Sequence, residues 1–375
     1  MNGMAMWAGI ALAVIIAAAG AFVYLVNRLM KLGFMHKLFG DKKGRKIIAS
    51  VVIIVAGMVI CSIWMSAINA IIVLLHVIIF WVLCDLFFLI IGKARKRKFA
   101  PEVPAICSVI LTVCYLSICF YLLDHVWQKD YSLKTTKDVG NIKVVQFADS
   151  HVGTTFSGAE LIEYVDRINS CEPDVVLITG DFVDDSTSLK DMKDACEALS
   201  HLETKYGVYF SFGNHDKGYG DNSARGYNGQ DLVDELEANG VVVLQDEAVL
   251  IDNRFYIVGR QDKSEESQRG SSRLSASEIM ANLDQSKYVI FMDHQPNDYD
   301  NEAAANCDLV LSGHTHGGQL LPVTEVGVWI GANDKTYGLE HRDNTDFIVT
   351  SGISDWELLF KSGCKSEYVV ISIGN

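Results

Sequence analysis

A chain of 375 residues, half of them hydrophobic and carrying a formal charge of −14, has room for more than one domain. The acidic balance excludes a non-specific nucleic-acid binder, because phosphate contacts need an excess of Lys and Arg. Nine cysteines without metal-finger spacing argue against a structural zinc module and leave no disulfide assignable from sequence.

Neither apolar residues nor charges are spread evenly. Residues 1–123 hold twelve Lys or Arg against three acids (Asp41, Asp85, Glu102), which leaves 20 basic and 43 acidic residues beyond them. The first part is therefore near +9 and the rest near −23. Four runs within residues 1–123 approach the roughly 20 apolar residues that cross a bilayer: 7–26, 47–67, 68–91 and 103–123. A turn near Ser66 and Asn69 separates the second run from the third. No Lys or Arg precedes the first run, so it is expected to be a retained helix and not a cleaved signal.

Orientation follows from the basic loops. Arg28, Lys31, Lys37, Lys42, Lys43, Arg45 and Lys46 separate the first two runs, and Lys93, Arg95, Lys96, Arg97 and Lys98 separate the last two. The bias of positive loops toward the cytoplasm places both inside. The expectation is a multi-pass protein of the cell membrane with its C-terminal part outside the cytoplasm. His76 and Asp85 fall within the third run, where ionisable residues are candidates for function. Broken, glycine-interrupted spans of the transporter kind are absent from the four runs, so anchoring is the simpler role.

Residues 124–141 read as a linker and 142–375 as a globular domain. Short apolar runs there alternate with amphipathic stretches. Strands are expected at 142–148, 174–179, 208–212, 241–244, 249–251, 255–259, 288–292, 309–312, 347–350 and 368–373. Helices are expected at 159–169, 188–202, 231–238 and 277–283, and a polar loop with freedom to move at 262–273.

Five of these strands end in turns that carry chemistry: Asp149-Ser150-His151, Gly180-Asp181, Gly213-Asn214-His215-Asp216, Asp293-His294-Gln295-Pro296 and Gly313-His314-Thr315-His316-Gly317. Ligands bind beyond the carboxyl ends of strands in α/β sheets. Gly-Asp alone is usually only a turn, and a lone His is usually a surface or satisfied core residue. Five of the ten histidines gathered in such turns do not fit that account. Mixed carboxylate, imidazole and amide donors suit borderline cations such as Mn²⁺, Fe and Zn²⁺, and about seven side chains are enough for two ions.

In type and order these turns resemble the calcineurin-like metallophosphoesterase family, over essentially all of residues 142–375. The tail from Tyr337-Gly338-Leu339 through Thr350-Ser351-Gly352-Ile353 is similar to the membrane-anchored bacterial branch. The resemblance implies an α+β fold, a two-sheet β-sandwich flanked by helices, here preceded by an all-α four-helix transmembrane region. It implies that Asp149, His151 and His316 hold one metal, that Asn214, His294 and His314 hold the other, and that Asp181 bridges both. His215 would face substrate as a catalytic residue, with Asp216 orienting its ring. Two divalent ions, Mn²⁺ first, would acidify a bridging water, and the resulting hydroxide would attack phosphorus in line. The implied partners are the bilayer and a phosphate ester, and tethering favours one that is lipid-linked or part of the envelope. Arg225, Arg260 and Lys263 are candidates for a second anionic group beside their reading as solvated charge, and Lys217–Gln230 for shaping the pocket. The rival class is an inactive receptor or scaffold on the same fold, whose mark would be missing ligands, and none is missing.

Overall fold

The computed structural model describes residues 3–219 and 225–374, with the side chains of the first helix from Ile16 onward. It divides into two compact units, 1–118 and 119–375.

The first unit is helical: α1 (Gly3–Leu29), α2 (Gly33–Phe39), α3 (Lys43–Met65), α4 (Ala67–Ala94) and α5 (Glu102–Asp124), the last of which continues into the second unit. Among the described residues α3, α4 and α5 are long and apolar enough to cross a membrane, at 23, 28 and 23 residues. A fourth span is counted if Ile16–Leu29 and Gly33–Phe39, bent by 71°, form one. The turn between α3 and α4 is made at Ser66, which has a φ of 98° and caps α4 by accepting from Asn69 N–H. Ile63, Trp64, Val52 and Leu89 stay exposed, as side chains facing acyl chains do. Asp85 is not solitary: it accepts from Tyr24 Oη at 2.5 Å and pairs with Arg28. His76 donates Nδ1–H to Ile72 O at 2.8 Å within its own helix and stacks on Tyr115 with centroids 5.2 Å apart. Both residues thereby have structural explanations.

Among the described residues the second unit holds twelve strands: β1 (Trp127–Lys134), β2 (Ile142–Phe147), β3 (Val175–Thr179), β4 (Val208–Ser211), β5 (Val241–Val243), β6 (Glu247–Ile251), β7 (Phe255–Gly259), β8 (Tyr288–Met292), β9 (Leu309–Ser312), β10 (Gly338–Arg342), β11 (Thr345–Val349) and β12 (Glu367–Gly374). They form two six-stranded sheets, ordered β1-β12-β2-β3-β4-β5 and β10-β11-β9-β8-β7-β6. In the first sheet β2, β3, β4 and β5 run parallel, and in the second β7, β8, β9 and β11 do. β1 lies inside the stretch expected as a linker, and β10 was not expected as a strand; both are half-exposed edge strands, β10 with polar residues on both faces and β1 with Lys129 on its half-buried face.

Strand alternation builds three layers of core. Val144, Val175, Leu177, Ile257, Ile290, Leu309, Ile348 and Ile371 meet between the sheets. Their neighbours Val145, Phe147, Val176 and Ile178 face outward against α6 (Leu161–Asn169), α7 (Leu189–Leu199) and α8 (Gly229–Ala238). Val289, Phe291 and Val310 face the short helices Ala276–Met280 and Tyr299–Ala304 on the far side. Ser188 and Asn228 start α7 and α8 as side-chain caps.

The polar stretch 262–273 is more ordered than its composition predicts. It contains a short helix at Ser264–Ser267, and Asp262, Ser264, Glu265 and Arg273 are buried. Asp262 accepts both of its Gln295 contacts, at 2.9 and 3.0 Å, and Arg273 meets Asp293 at 3.1 Å. Polar residues are held here by partners, not by apolar burial. All nine cysteines are free. Because Ile290 is fully buried between the sheets, Ile290→Ala is expected to cost about 2–5 kcal/mol, read as a lower urea midpoint of the full chain in detergent.

Candidate metal centre

The five motif turns come together because the strands that precede them are parallel neighbours. β2, β3 and β4 end at Phe147, Thr179 and Ser211, and β8 and β9 end at Met292 and Ser312, so their carboxyl ends lie on one edge of the sandwich. The chain then turns sharply. Asp149, His151, Asp181, His314 and His316 all have left-handed backbone, with φ of 54°, 36°, 51°, 70° and 50°. Non-glycine residues held there cost roughly 1 kcal/mol each, and such outliers collect at functional sites.

Backbone hydrogen bonds stitch the turns together. Asp149 donates its N–H to Gly180 O at 3.0 Å, His151 donates to Asp181 O at 3.1 Å, and Gly313 donates to His294 O at 3.0 Å. His314 N–H reaches Asp149 Oδ1 at 2.9 Å, and His215 N–H reaches Asp181 Oδ1 at 2.8 Å. The glycines are needed for this closeness: a Cβ on Gly213 would stand 2.2 Å from Asp181 Oδ1, and one on Gly313 would stand 2.6 Å from Asp149 Oδ2.

Seven side chains expected as ligands form two groups. Asp149, His151 and His316 offer donor atoms within 4.8 Å of one another, and Asp181, His294 and His314 do likewise. Asn214 joins the second group, its Oδ1 2.8 Å from His314 Nδ1, while its Nδ2 donates to Tyr219 Oη. Asp181 Oδ2 lies between the groups, 3.0 Å from His294 Nε2 and 3.7 Å from His151 Nε2.

The donor atoms fit divalent cations. Both ring nitrogens of His151 are buried without a hydrogen bond of good geometry among the described residues, Nδ1 lying 3.3 Å from Asp184 Oδ2 and Nε2 3.7 Å from Asp181 Oδ2. Leaving a buried imidazole nitrogen unpaired costs about 1–3 kcal/mol, and a cation at the one His151 nitrogen that carries a lone pair would remove that cost. Charge is already arranged for it. Burial would raise the Asp181 carboxyl, but His294, then His215 and His151, hold it well below the usual carboxylate range. Burial raises Asp149, with neighbouring Asp181 adding to the effect. Burial also lowers His314 to about 4, helped by His294, and lowers His316 well below the usual imidazole value, helped by His151; both are neutral and ready to coordinate at neutral pH.

One expected role is corrected. Asp216 does not orient the His215 ring. Its carboxylate turns inward and accepts from the N–H groups of Asp181 at 2.9 Å, Phe182 at 2.7 Å, Val183 at 3.1 Å and Gly213 at 2.7 Å. It pins two ligand turns to each other, and burial beside Asp181 raises it to about 6. The carboxylate at the His215 ring is Asp184, with Oδ1 3.3 Å from Nδ1; its other oxygen lies 3.3 Å from His151 Nδ1. Burial would lower His215, but Asp184 raises it above the ordinary imidazole value. His215 also packs edge-on against Tyr219, centroids 4.8 Å apart, and beside Trp356 at 5.3 Å.

Asp184 and Asp355 had no signal beyond being acids near a motif. Asp355 Oδ1 lies 3.1 Å from His316 Nδ1, and Thr179 O accepts from His294 Nδ1 at 2.8 Å. Such partners fix which ring nitrogen points inward. The basic residues suggested for a second anionic group are largely engaged. Arg225 is buried and donates to Tyr227 O and Asp216 O at 3.0 Å. Arg260 is buried between Asp293 at 2.9 Å and Asp298 at 2.6 Å. Lys263 reaches Asn297 at 3.5 Å. In the segment 217–230, Lys217 pairs with Glu265 at 2.7 Å, and residues 220–224 lie outside the described residues.

Comparison with known proteins agrees with this geometry. Residues 142–318 match the family model for calcineurin-like phosphoesterases. An uncharacterised metallophosphoesterase of Aquifex aeolicus is 34% identical over 195 residues, 51% of this chain and 69% of that protein. One from Campylobacter jejuni is 29% identical over 234 residues, 62% of this chain; the chain spans 59% of that relative's length. A transmembrane protein with metallophosphoesterase domain from Danio rerio is 27% identical over 200 residues, 51% of this chain and 44% of that protein. Gly213→Ala, which drives a methyl into Asp181, is expected to lower metal affinity by roughly 10–100-fold, measured as metal retained by the purified full chain after dialysis.

Proposed function

Because the chain belongs to the calcineurin-like phosphoesterase family, we propose that it is a membrane-anchored, dinuclear-metal phosphoesterase acting outside the cytoplasm. The observation that carries the reading is Asp181, one buried carboxylate between histidines of both donor groups. Asp149, His151 and His316 would hold one ion, Asn214, His294 and His314 the other, and Asp181 both. The donor set favours Mn²⁺, with Fe or Zn²⁺ as alternatives. When bound, a pair of such ions supplies Lewis acidity toward phosphoryl oxygens and lowers the pKa of a water.

The remaining work falls to the chain. His215 is buried beside the donor cluster, 8% exposed against 0% for His151 and His294. Held protonated by Asp184, it donates a hydrogen bond to a phosphoryl oxygen or a proton to the leaving alkoxide. Tyr219 and Trp356 flank its ring and limit how a leaving group can approach. The substrate is a phosphodiester, phosphomonoester or pyrophosphate. Three to four apolar helices among the described residues support membrane association, and tethering favours a lipid-linked or envelope phosphate through effective concentration. The basic loop Lys93–Lys98 precedes α5, so by the positive-inside bias α5 leads outward to the catalytic unit.

Hydrolysis of bis-p-nitrophenyl phosphate by the full chain with added Mn²⁺ tests the activity, and no turnover above the metal-free control would refute it. His215→Ala is expected to keep its metal content and lose about 10²–10⁴ in rate, whereas Asp181→Ala loses the metal. In the pH profile the protonated His215 persists to higher pH because Asp184 raises it. Asp184→Asn therefore moves the alkaline fall in rate to lower pH; an unmoved limb would reject the assignment.

A further inference from the structure

The last turns of α5 belong to the catalytic unit, which begins at Cys119. Lys361 donates its backbone N–H to Cys119 O at 3.1 Å, and Ser366 donates to Leu122 O at 3.0 Å. Segment 361–366 is thus fastened to the carboxyl end of a helix long and apolar enough to span a bilayer. The same segment holds the loop that follows His316. Ser362 and Gly363 donate to Gln319 O at 2.8 and 3.1 Å, Leu321 N–H reaches Ser362 Oγ at 2.9 Å, and Cys364 Sγ donates to His316 O at 3.1 Å.

Beyond Gln319 this loop turns its apolar side chains outward. Leu321, Val323, Trp329 and Ile330 are 53, 54, 72 and 58% exposed, and the short helix Val326–Trp329 buries none of its residues. Large apolar side chains gathered on one exposed loop mark an interaction surface, since each would gain about 1.5–3 kcal/mol on burial. Gln319 Nε2 also donates to Trp356 O at 3.3 Å, and the Trp356 ring stands 5.3 Å from His215. The loop that carries the exposed face is therefore linked through Gln319 to the residue whose ring stands beside His215.

We propose that this face enters the interfacial layer of the bilayer that α5 leaves. The site would then act on phosphate esters whose apolar part stays in the membrane, with the phosphate at headgroup depth. The proposal rests on the phosphoesterase reading above. A bilayer is favoured over a protein partner because the face is hydrogen-bonded, through 361–366, to the end of a membrane-length helix. Trp329 at its tip is also of the residue type that settles at membrane interfaces.

Two substrates with the same scissile bond test it: ethyl p-nitrophenyl phosphate in water and hexadecyl p-nitrophenyl phosphate in phosphatidylcholine vesicles, with the full chain reconstituted in those vesicles and Mn²⁺ present. The double variant Trp329→Glu, Ile330→Glu is expected to hydrolyse the ethyl ester within about twofold of wild type and the hexadecyl ester about tenfold more slowly, as loss of interfacial insertion requires. Equal effects on both esters would overturn the proposal. Wild type that cleaves neither ester would instead bring down the phosphoesterase reading itself. Independently, Trp329→Phe is expected to reduce the part of the tryptophan emission quenched by brominated phosphatidylcholine. An unchanged quenched fraction, as when a second copy or another protein covers the face, would also overturn it.

Discussion

Asp181 Oδ2 lies 3.0 Å from a histidine that follows a strand of one sheet and 3.7 Å from a histidine that follows a strand of the other. Its second oxygen accepts the His215 N–H. A fully buried carboxylate is expensive unless cationic or hydrogen-bonding groups surround it. Its position therefore ties the two sheets to one relative placement: a slip of either would strand a charge. The core between the sheets, from Val144 to Ile371, supplies the stiffness that keeps that placement.

Strain and satisfaction are exchanged within the same few residues. Five of the positions expected to carry ligands adopt left-handed backbone, and several ring nitrogens lack hydrogen-bond partners among the described residues. Neither is favourable alone. The carboxylate of Asp216, accepting four backbone N–H groups, offsets part of the strain by gathering the turns after β3 and β4. The unpaired nitrogens become an asset once a cation is present. The fold thus keeps its unfavourable contacts where a ligand removes them.

Much of this was legible in the sequence, for identifiable reasons. Ten buried or half-buried strands announced themselves by apolar runs, and the ligand turns by Gly beside His, Asp or Asn. β10 escaped because its half-buried face carries Gly338, Glu340 and Arg342, and β1 because Lys129 interrupts a half-buried face of Trp127, Tyr131 and Leu133. The site residues that escaped were those whose role depends on distant neighbours. Asp184 and Asp355 are single acids with no spacing rule, placed against His215 and His316 only by the packing of separate loops. Asp216 was misread because adjacency in sequence suggested contact with the His215 ring, whereas consecutive side chains on a turn diverge. The order of 262–273 also escaped: composition measures apolar content, and this segment is fixed by ion pairs and amide contacts.

The strand order has one more consequence, for how the chain acquires its shape. β12, later in the chain than any other strand, inserts between β1 and β2, the first two. As the polypeptide emerges from the ribosome, the first sheet therefore remains open between its edge strand β1 and the contiguous block β2-β3-β4-β5 until β12 is available. The turns after β2 and β3, which carry Asp149, His151 and Asp181, can approach one another early, but the sheet that supports them closes only when β12 arrives. In that interval the apolar flank of β2 lacks its neighbour, an unpaired edge of the kind that chaperones shield.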